Sequence, residues 1–150
     1  GLGDTVFEKL DANLAKAVMS IGAVKAVEIG DGTTVSTMLG SEDNDGFTLD
    51  EQQEIITTSN HAGGILGGMS DGADIILRAT FKPTPSIFSP QQTVTTQKEK
   101  TTIAIKGRHD PIVVPRAVVV VEAMAAITIL DALLANMTAT MKGITDFYNK

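Results

Sequence analysis

A mixed fold of helices and short strands in one domain is predicted for these 150 residues by three observations. An apolar stripe of helical period opens the chain, β-prone runs bounded by turn residues fill its middle, and an almost uniformly apolar helix follows Pro115. No internal repeat and no linker marks a second domain, and the length suits a single core.

Phe7, Leu10, Leu14, Ala17, Val18 and Ile21 recur at three- and four-residue spacing, so the first twenty residues read as an amphipathic helix. Asp4 is placed to cap it, and Gly22 stops it. Val24 to Ile29 reads as a strand that ends in a Gly30-Asp31-Gly32 turn. Gly40 to Asp45 is polar and turn-rich, and Asp50, Glu51 and Glu54 continue the acidity. This stretch is expected to be a solvated connection; its carboxylates do not follow the order of an EF-hand loop, and no metal site is predicted. Ile75 to Phe81 reads as a strand ended by Pro83 and Pro85. Thr93–Thr96 and Thr101–Ile105 are β-prone, with Lys98-Glu99-Lys100 as a hairpin tip. Pro115 suits a helix start, and the helix is expected to reach about Met141. Being apolar on most faces, it must be covered on most faces, in a core or at a subunit interface. Residues 112–134 are apolar enough to suggest a membrane span, but they hold Arg116, Glu122 and Asp131. Each charge near a bilayer centre costs roughly 2.5–3.5 kcal/mol, so a buried helix and no membrane partner are expected.

The hydrophobic fraction of 43% fits a globular chain, and with only 4% aromatics the core must be aliphatic. A formal charge of −6 argues against nucleic acid as a partner, because phosphate backbones need a basic surface. The absence of cysteine excludes disulfides and thiolate metal sites and favours the cytosol or an organelle interior, with the cytoplasm as the expected location. Gly1-Leu2-Gly3-Asp4 has no basic stretch, no apolar signal core and no initiator Met, so the chain is expected to be a mature or excised piece.

Three constellations carry candidate chemistry. Asn60-His61-Ala62-Gly63-Gly64-Ile65-Leu66-Gly67-Gly68 can bring bare backbone N–H groups to a flat or anionic ligand. A glycine run is also the mark of tight packing, and His61 alone is more often a hydrogen-bonded structural residue than a ligand. Lys82-Pro83-Thr84-Pro85-Ser86 displays an ammonium group and two hydroxyls from a stiff strand end, and the bland reading is a rigid surface corner. Gly107-Arg108-His109-Asp110-Pro111 places a guanidinium, an imidazole and a carboxylate between a strand and a long helix. Arginine can fork onto an anion and the other two can move protons, while a structural salt bridge stays open.

In this order the three constellations resemble the C-terminal part of chorismate synthases. The likeness extends over Gly1-Leu2-Gly3-Asp4, Val27-Glu28-Ile29-Gly30-Asp31-Gly32, Gly40-Ser41-Glu42, Pro115-Arg116-Ala117-Val118 and Glu122-Ala123-Met124. It implies an α+β fold, part of a sandwich of antiparallel sheets between helices, in subunits that assemble as tetramers. It implies reduced FMN as cofactor and 5-enolpyruvylshikimate 3-phosphate as substrate, converted to chorismate by anti-1,4 elimination of phosphate. In that chemistry the flavin lends electron density transiently and a ring hydrogen leaves through its N5. Carried over residue by residue, the flavin contacts fall on Gly22, Ala23, Gly67, Lys82, Pro83, Thr84, Pro85, Ser86 and Arg108. Asp110 matches the acidic residue of the proton relay, with His109 beside it.

Some positions depart from the family pattern. Gly22 stands where Asn or Pro is common, Ile112 replaces a usual Cys, and Val119 replaces a usual Pro. The family's Arg-His-Arg-Pro-Gly-type and Gly-Arg-Ser-Ser-Ala-type segments do not occur in these residues. Arg78, Arg108, Arg116, His61 and His109 are too few for its doubly anionic pocket. The expectation is therefore a portion whose N-terminal half lies elsewhere, inactive alone; the alternative is a non-catalytic flavin-binding or oligomerisation module.

Overall fold

The computed structural model describes residues 1–108 and 112–149. Among these residues the architecture is α+β, with four helices and eight strands in the order α1, β1, a 3₁₀ turn, α2, β2 to β8, α3 and α4. The first helix, α1, spans Leu10–Met19, half of the stretch that the sequence suggests. Its late start has a backbone cause. Gly3 (φ +99°) and Val6 (φ +69°) adopt left-handed conformations that cannot join a right-handed helix. Asp4 does not cap α1; its carboxylate accepts from the N–H of Thr5 at 2.7 Å. The apolar period holds where the helix exists, since Leu10, Leu14 and Val18 are its buried residues.

Strand β1 (Val24–Ile29) pairs antiparallel with β6 (Leu77–Phe81), from Val24↔Phe81 to Ile29↔Leu77. The other three ladders are local hairpins: β2 (Phe47–Leu49) with β3 (Ile55–Thr57), β4 (Ile65–Leu66) with β5 (Met69–Ser70), and β7 (Gln91–Val94) with β8 (Lys100–Ile103). The last confirms the hairpin tip, where Lys98 takes φ +66°. The acidic connection holds one turn of helix, α2 (Gly40–Asp43), closed by the Glu42 carboxylate accepting from the Leu39 N–H at 2.8 Å.

Leu10, Leu14 and Ile65 form the central cluster, with Ile29 and Leu77 packed on one side and Ala125, Ile129 and Ala132 on another. The helix α1 thus lies between the β1–β6 ladder and α3 (Val114–Met137). The buried side chains of Leu10, Leu14 and Ile65 contribute on the order of 1.5–3 kcal/mol each. Pro115 occupies the first turn of α3 as expected, but the helix stops at Met137 and a short α4 (Met141–Tyr148) follows, capped by the Thr140 hydroxyl. The buried helix expected here is not buried in this chain. Only Ala117 of α3 is buried, while Val119, Ile127, Leu130, Leu134 and Met137 are all at least half exposed. A helix apolar all round needs partners all round, and these residues supply chiefly one, α1. By length and composition α3 could cross a membrane.

Candidate functional site

At one end of the β1–β6 ladder two backbone irregularities meet. The register slips between Val24 and Ala26, a bulge that re-aims the strand end. Ala23, just before β1, holds a left-handed backbone at φ +73°. For a residue with a Cβ this conformation costs about 1–2 kcal/mol. Beyond the last register pair the N–H of Lys82 donates to the Ala23 carbonyl at 2.8 Å. From that bond the chain runs into Pro83 and Pro85, whose rings restrict φ and stiffen the segment. Lys82 is exposed, and Thr84 and Ser86 are half-buried. The structure therefore brings Gly22-Ala23 and Lys82–Ser86, far apart in sequence, to one corner. A Cβ built on Gly22 would meet nothing within 4 Å, so the backbone there is open.

A small apolar cleft of ≈ 200 Å³ adjoins this corner, lined by Ala79 and Phe81 of β6 and by Val114, Ala117 and Val118 of α3. It brings the start of α3 beside the end of β6. Arg108, which precedes α3 in the chain, is exposed. The two proton-relay candidates, His109 and Asp110, lie outside the described residues.

Gly67 is in a different place. It forms the tip of the β4–β5 hairpin, at φ +62°, with open space around its missing side chain. The hairpin is tied to the start of α1, where the Leu10 N–H donates to the Gly68 carbonyl at 2.8 Å. Ala23 lies beyond the other end of α1, about 15 Å away along a helix of ten residues. The rest of the glycine run is used for packing. A Cβ on Gly63 would collide with the Gly30 backbone, and one on Gly30 would collide with the His61 carbonyl. Of this run, Gly67 is the glycine whose backbone is left open to an incoming group.

Beside Gly30 lies a polar cluster that the sequence did not single out. His61 Nδ1 and Asp31 Oδ2 are 2.6 Å apart, and the Asp31 N–H donates to the His61 carbonyl at 2.9 Å. Asp45 accepts from the Ser59 hydroxyl (2.7 Å), the His61 N–H (2.8 Å) and the Ala62 N–H (2.9 Å). Asp45, expected in a solvated connection, instead fastens that connection to the glycine segment. Its acidity is lowered by partial removal from water. The Ala62 N–H, the Ser59 hydroxyl and the His61 N–H outweigh that and hold its pKa below the usual carboxylate range. The His61 pKa is raised, first by its hydrogen bond to Asp31, against some loss of solvent, then by the charges of Asp31, Asp45 and Asp43. His61 is a hydrogen-bonded residue of the fold, and its sequence neighbourhood of small residues could not reveal partners 30 and 16 positions away. Likewise Arg78 is engaged, its Nη1 donating to Glu28 Oε2 at 3.1 Å. The Glu28 pKa is lowered by the Thr33 hydroxyl, then by the Thr33 N–H and by Arg78. Among the described residues no group of three or more His, Cys, Asp or Glu side chains is placed to hold a metal ion.

These features sit within a recognisable whole. A family model described as chorismate synthase matches residues 1–134. A chorismate synthase of Lachnoclostridium phytofermentans is 59% identical over all 150 residues, and one of Agathobacter rectalis is 62% identical over the same length. The chain spans 41% of the length of each of these curated relatives. The crystal structure of a chorismate synthase superposes with a TM-score of 0.72 at 31% identity, over 99% of this chain and 38% of that one. The chain belongs to the chorismate synthase family.

Proposed function

We propose that these residues form the C-terminal, flavin-facing part of a cytoplasmic, homotetrameric chorismate synthase. That enzyme is a carbon-oxygen lyase of the shikimate pathway, leading to the aromatic amino acids. It eliminates phosphate from 5-enolpyruvylshikimate 3-phosphate in the anti-1,4 sense. The observation that carries the reading is the corner where the Lys82 N–H meets the Ala23 carbonyl, with a stiff lysine-bearing segment leaving it. The donors there fit a reduced flavin. An ammonium suits an electron-rich anionic ring, and hydroxyls at Thr84 and Ser86 can donate to its heteroatoms; away from this corner, the open backbone of Gly67 admits close approach. Reduced FMN, when bound, supplies electron density to the allylic system as phosphate departs; the protein's part is to orient it and set its charge.

In this reading Lys82 holds negative charge on the flavin and Arg108 forks onto an anionic group. Asp110, with His109 beside it, moves the proton. Gly67, standing at the other end of α1, touches a different part of the cofactor from Lys82. The substrate-binding arginines and the histidines that the family's chemistry requires come from the N-terminal half of the same enzyme. The 150 residues alone are then inactive. The exposed face of α3 favours a second reading, a non-catalytic oligomerisation module.

Titration of full-length enzyme with FMN, followed by flavin fluorescence, tests the assignment. Loss of a charge-assisted contact of about 1.5–3 kcal/mol should weaken FMN binding about ten- to hundredfold in Lys82→Ala and in Arg108→Ala. Unchanged affinity in both variants removes the flavin reading. Phosphate release by residues 1–150 alone with reduced FMN would remove the claim of inactivity.

A further inference from the structure

We propose that Asp71 is a site of spontaneous covalent modification, isomerising to isoaspartate through a cyclic imide formed with the backbone nitrogen of Gly72. Formation of the imide does not depend on the flavin reading; only its consequence for the cofactor rests on it. An aspartate followed by glycine is the favourable dipeptide for this reaction, because no Cβ shields the following peptide nitrogen. The chain holds three such pairs, Asp31-Gly32, Asp45-Gly46 and Asp71-Gly72. The dipeptides are identical, and the structure separates them.

The Asp45 carboxylate is committed to another segment, accepting from the Ser59 hydroxyl and from the N–H groups of His61 and Ala62. Its glycine is pinned as well, the Gly46 carbonyl accepting from the Thr58 N–H at 2.7 Å. Asp31 is committed to His61 Nδ1 at 2.6 Å, and Gly32 is crowded by the Glu28 side chain. Each charge-assisted bond that must open first slows ring closure about tenfold or more. Asp71 and Gly72 are both exposed. The Asp71 carboxylate accepts only from the Ala73 N–H, at 2.9 Å. That local bond holds the carboxyl folded over the Gly72 peptide and draws charge from its oxygen, which makes the carbon more open to attack. Gly72 has open space where a Cβ would stand, and among the described residues its N–H makes no hydrogen bond.

The Gly72 nitrogen bonds to Cγ of the protonated Asp71 carboxyl, and the carboxyl hydroxyl leaves as water with the amide proton. Water then reopens the imide. Attack at the main-chain carbonyl leaves the chain running through Cβ and Cγ, with a free α-carboxylate beside it. No oxidant or second reactant is needed. The main chain is then one methylene longer at the open end of the β4–β5 hairpin, where the Asp71 N–H donates to the Gly64 carbonyl at 3.1 Å. The same loop is packed against the glycine segment, because Asn60 Nδ2 donates to the Asp74 carbonyl at 2.8 Å and Gly64 lies tight against Asp74. Isoaspartate at residue 71 therefore loosens the hairpin whose tip is Gly67.

The test ages full-length enzyme without flavin at neutral pH and body temperature. Mass spectrometry with backbone fragmentation that distinguishes isoaspartate from aspartate then reads all three pairs. About tenfold more isoaspartate is expected at residue 71 than at residue 31 or 45. In enzyme unfolded with guanidinium the three pairs should converge. As much isoaspartate at 31 or 45 as at 71 in the folded enzyme overturns the proposal, and so does the same bias in the unfolded chain. The variant Asp71→Ser keeps an oxygen for the Ala73 N–H but has no carboxyl to close the ring. It should age with its reduced-FMN affinity intact, while the wild-type fraction that carries isoaspartate loses affinity about three- to tenfold. Isoaspartate at 71 with unchanged affinity overturns the link to the cofactor. Unchanged affinity in fresh Lys82→Ala, in contrast, overturns the flavin reading, and the count at the three pairs still judges the modification.

Discussion

Expressed by itself, the 15.7 kDa chain exposes 11100 Å² of surface, whereas a compact monomer of that mass exposes about 7,300 Å². The excess of about 3,800 Å² is four to five times the roughly 800 Å² that one partner contributes to a standard interface. Much of the uncovered apolar area lies on α3. Leu130 and Leu134, spaced one turn apart on one helix face, are 54% and 55% exposed. Residues 1–150 alone should therefore self-associate at micromolar concentration and bind a dye that reports exposed apolar surface. The double variant Leu130→Lys, Leu134→Lys should shift the population toward monomer, because two ammonium groups on one face resist burial. Light scattering after size-exclusion chromatography measures the first effect and dye fluorescence the second. A monodisperse, cooperatively melting monomer that binds no dye would refute the reasoning, since it would mean that the exposed face of α3 needs no cover.

Three further outcomes follow from the geometry. In the full-length protein, Leu14→Ala empties a fully buried position in the central cluster and should cost about 2–5 kcal/mol by chemical denaturation; a cost below 1 kcal/mol would show that the site relaxes freely. Gly30→Ala, at φ +59° and with its Cβ driven into the His61 carbonyl, should strongly reduce soluble folded protein, and a normal melt would contradict the close packing of residues 30 and 61–63. His61 should titrate by NMR with a midpoint above the ordinary 6.5, and Asp31→Asn should lower it. Because the folded pKa is raised, the His61–Asp31 contribution to stability is complete below about pH 6.5 and is lost as pH rises through the folded value. Asp45 has the opposite sign: its contribution is present above the ordinary carboxylate pKa and fades as pH falls through its lowered value.

Local periodicity was enough to locate β1, β6, the β7–β8 hairpin and the start of α3, since each depends on residues near in sequence. It misplaced the start of α1 because Gly3 and Val6 are left-handed, and at Gly3 the chain is also closely packed: a Cβ there would come 2.5 Å from the Gly68 carbonyl. It passed over the short β2–β3 and β4–β5 hairpins, whose two- and three-residue strands carry too few alternations to show a period.

What the sequence determined unaided is the chemical inventory: an aliphatic core, no thiols, a lysine-proline segment, a glycine run and an Arg-His-Asp cluster in the order of one enzyme family. Spatial grouping belongs to the tertiary structure alone. It joins Ala23 to Lys82 through one backbone hydrogen bond, sets Gly67 at the far end of α1, and ties His61 to Asp31 and Asp45. The physical reason is that such bonds cost loop closure and are decided by burial of α1 against distant strands, a balance no local window of residues contains.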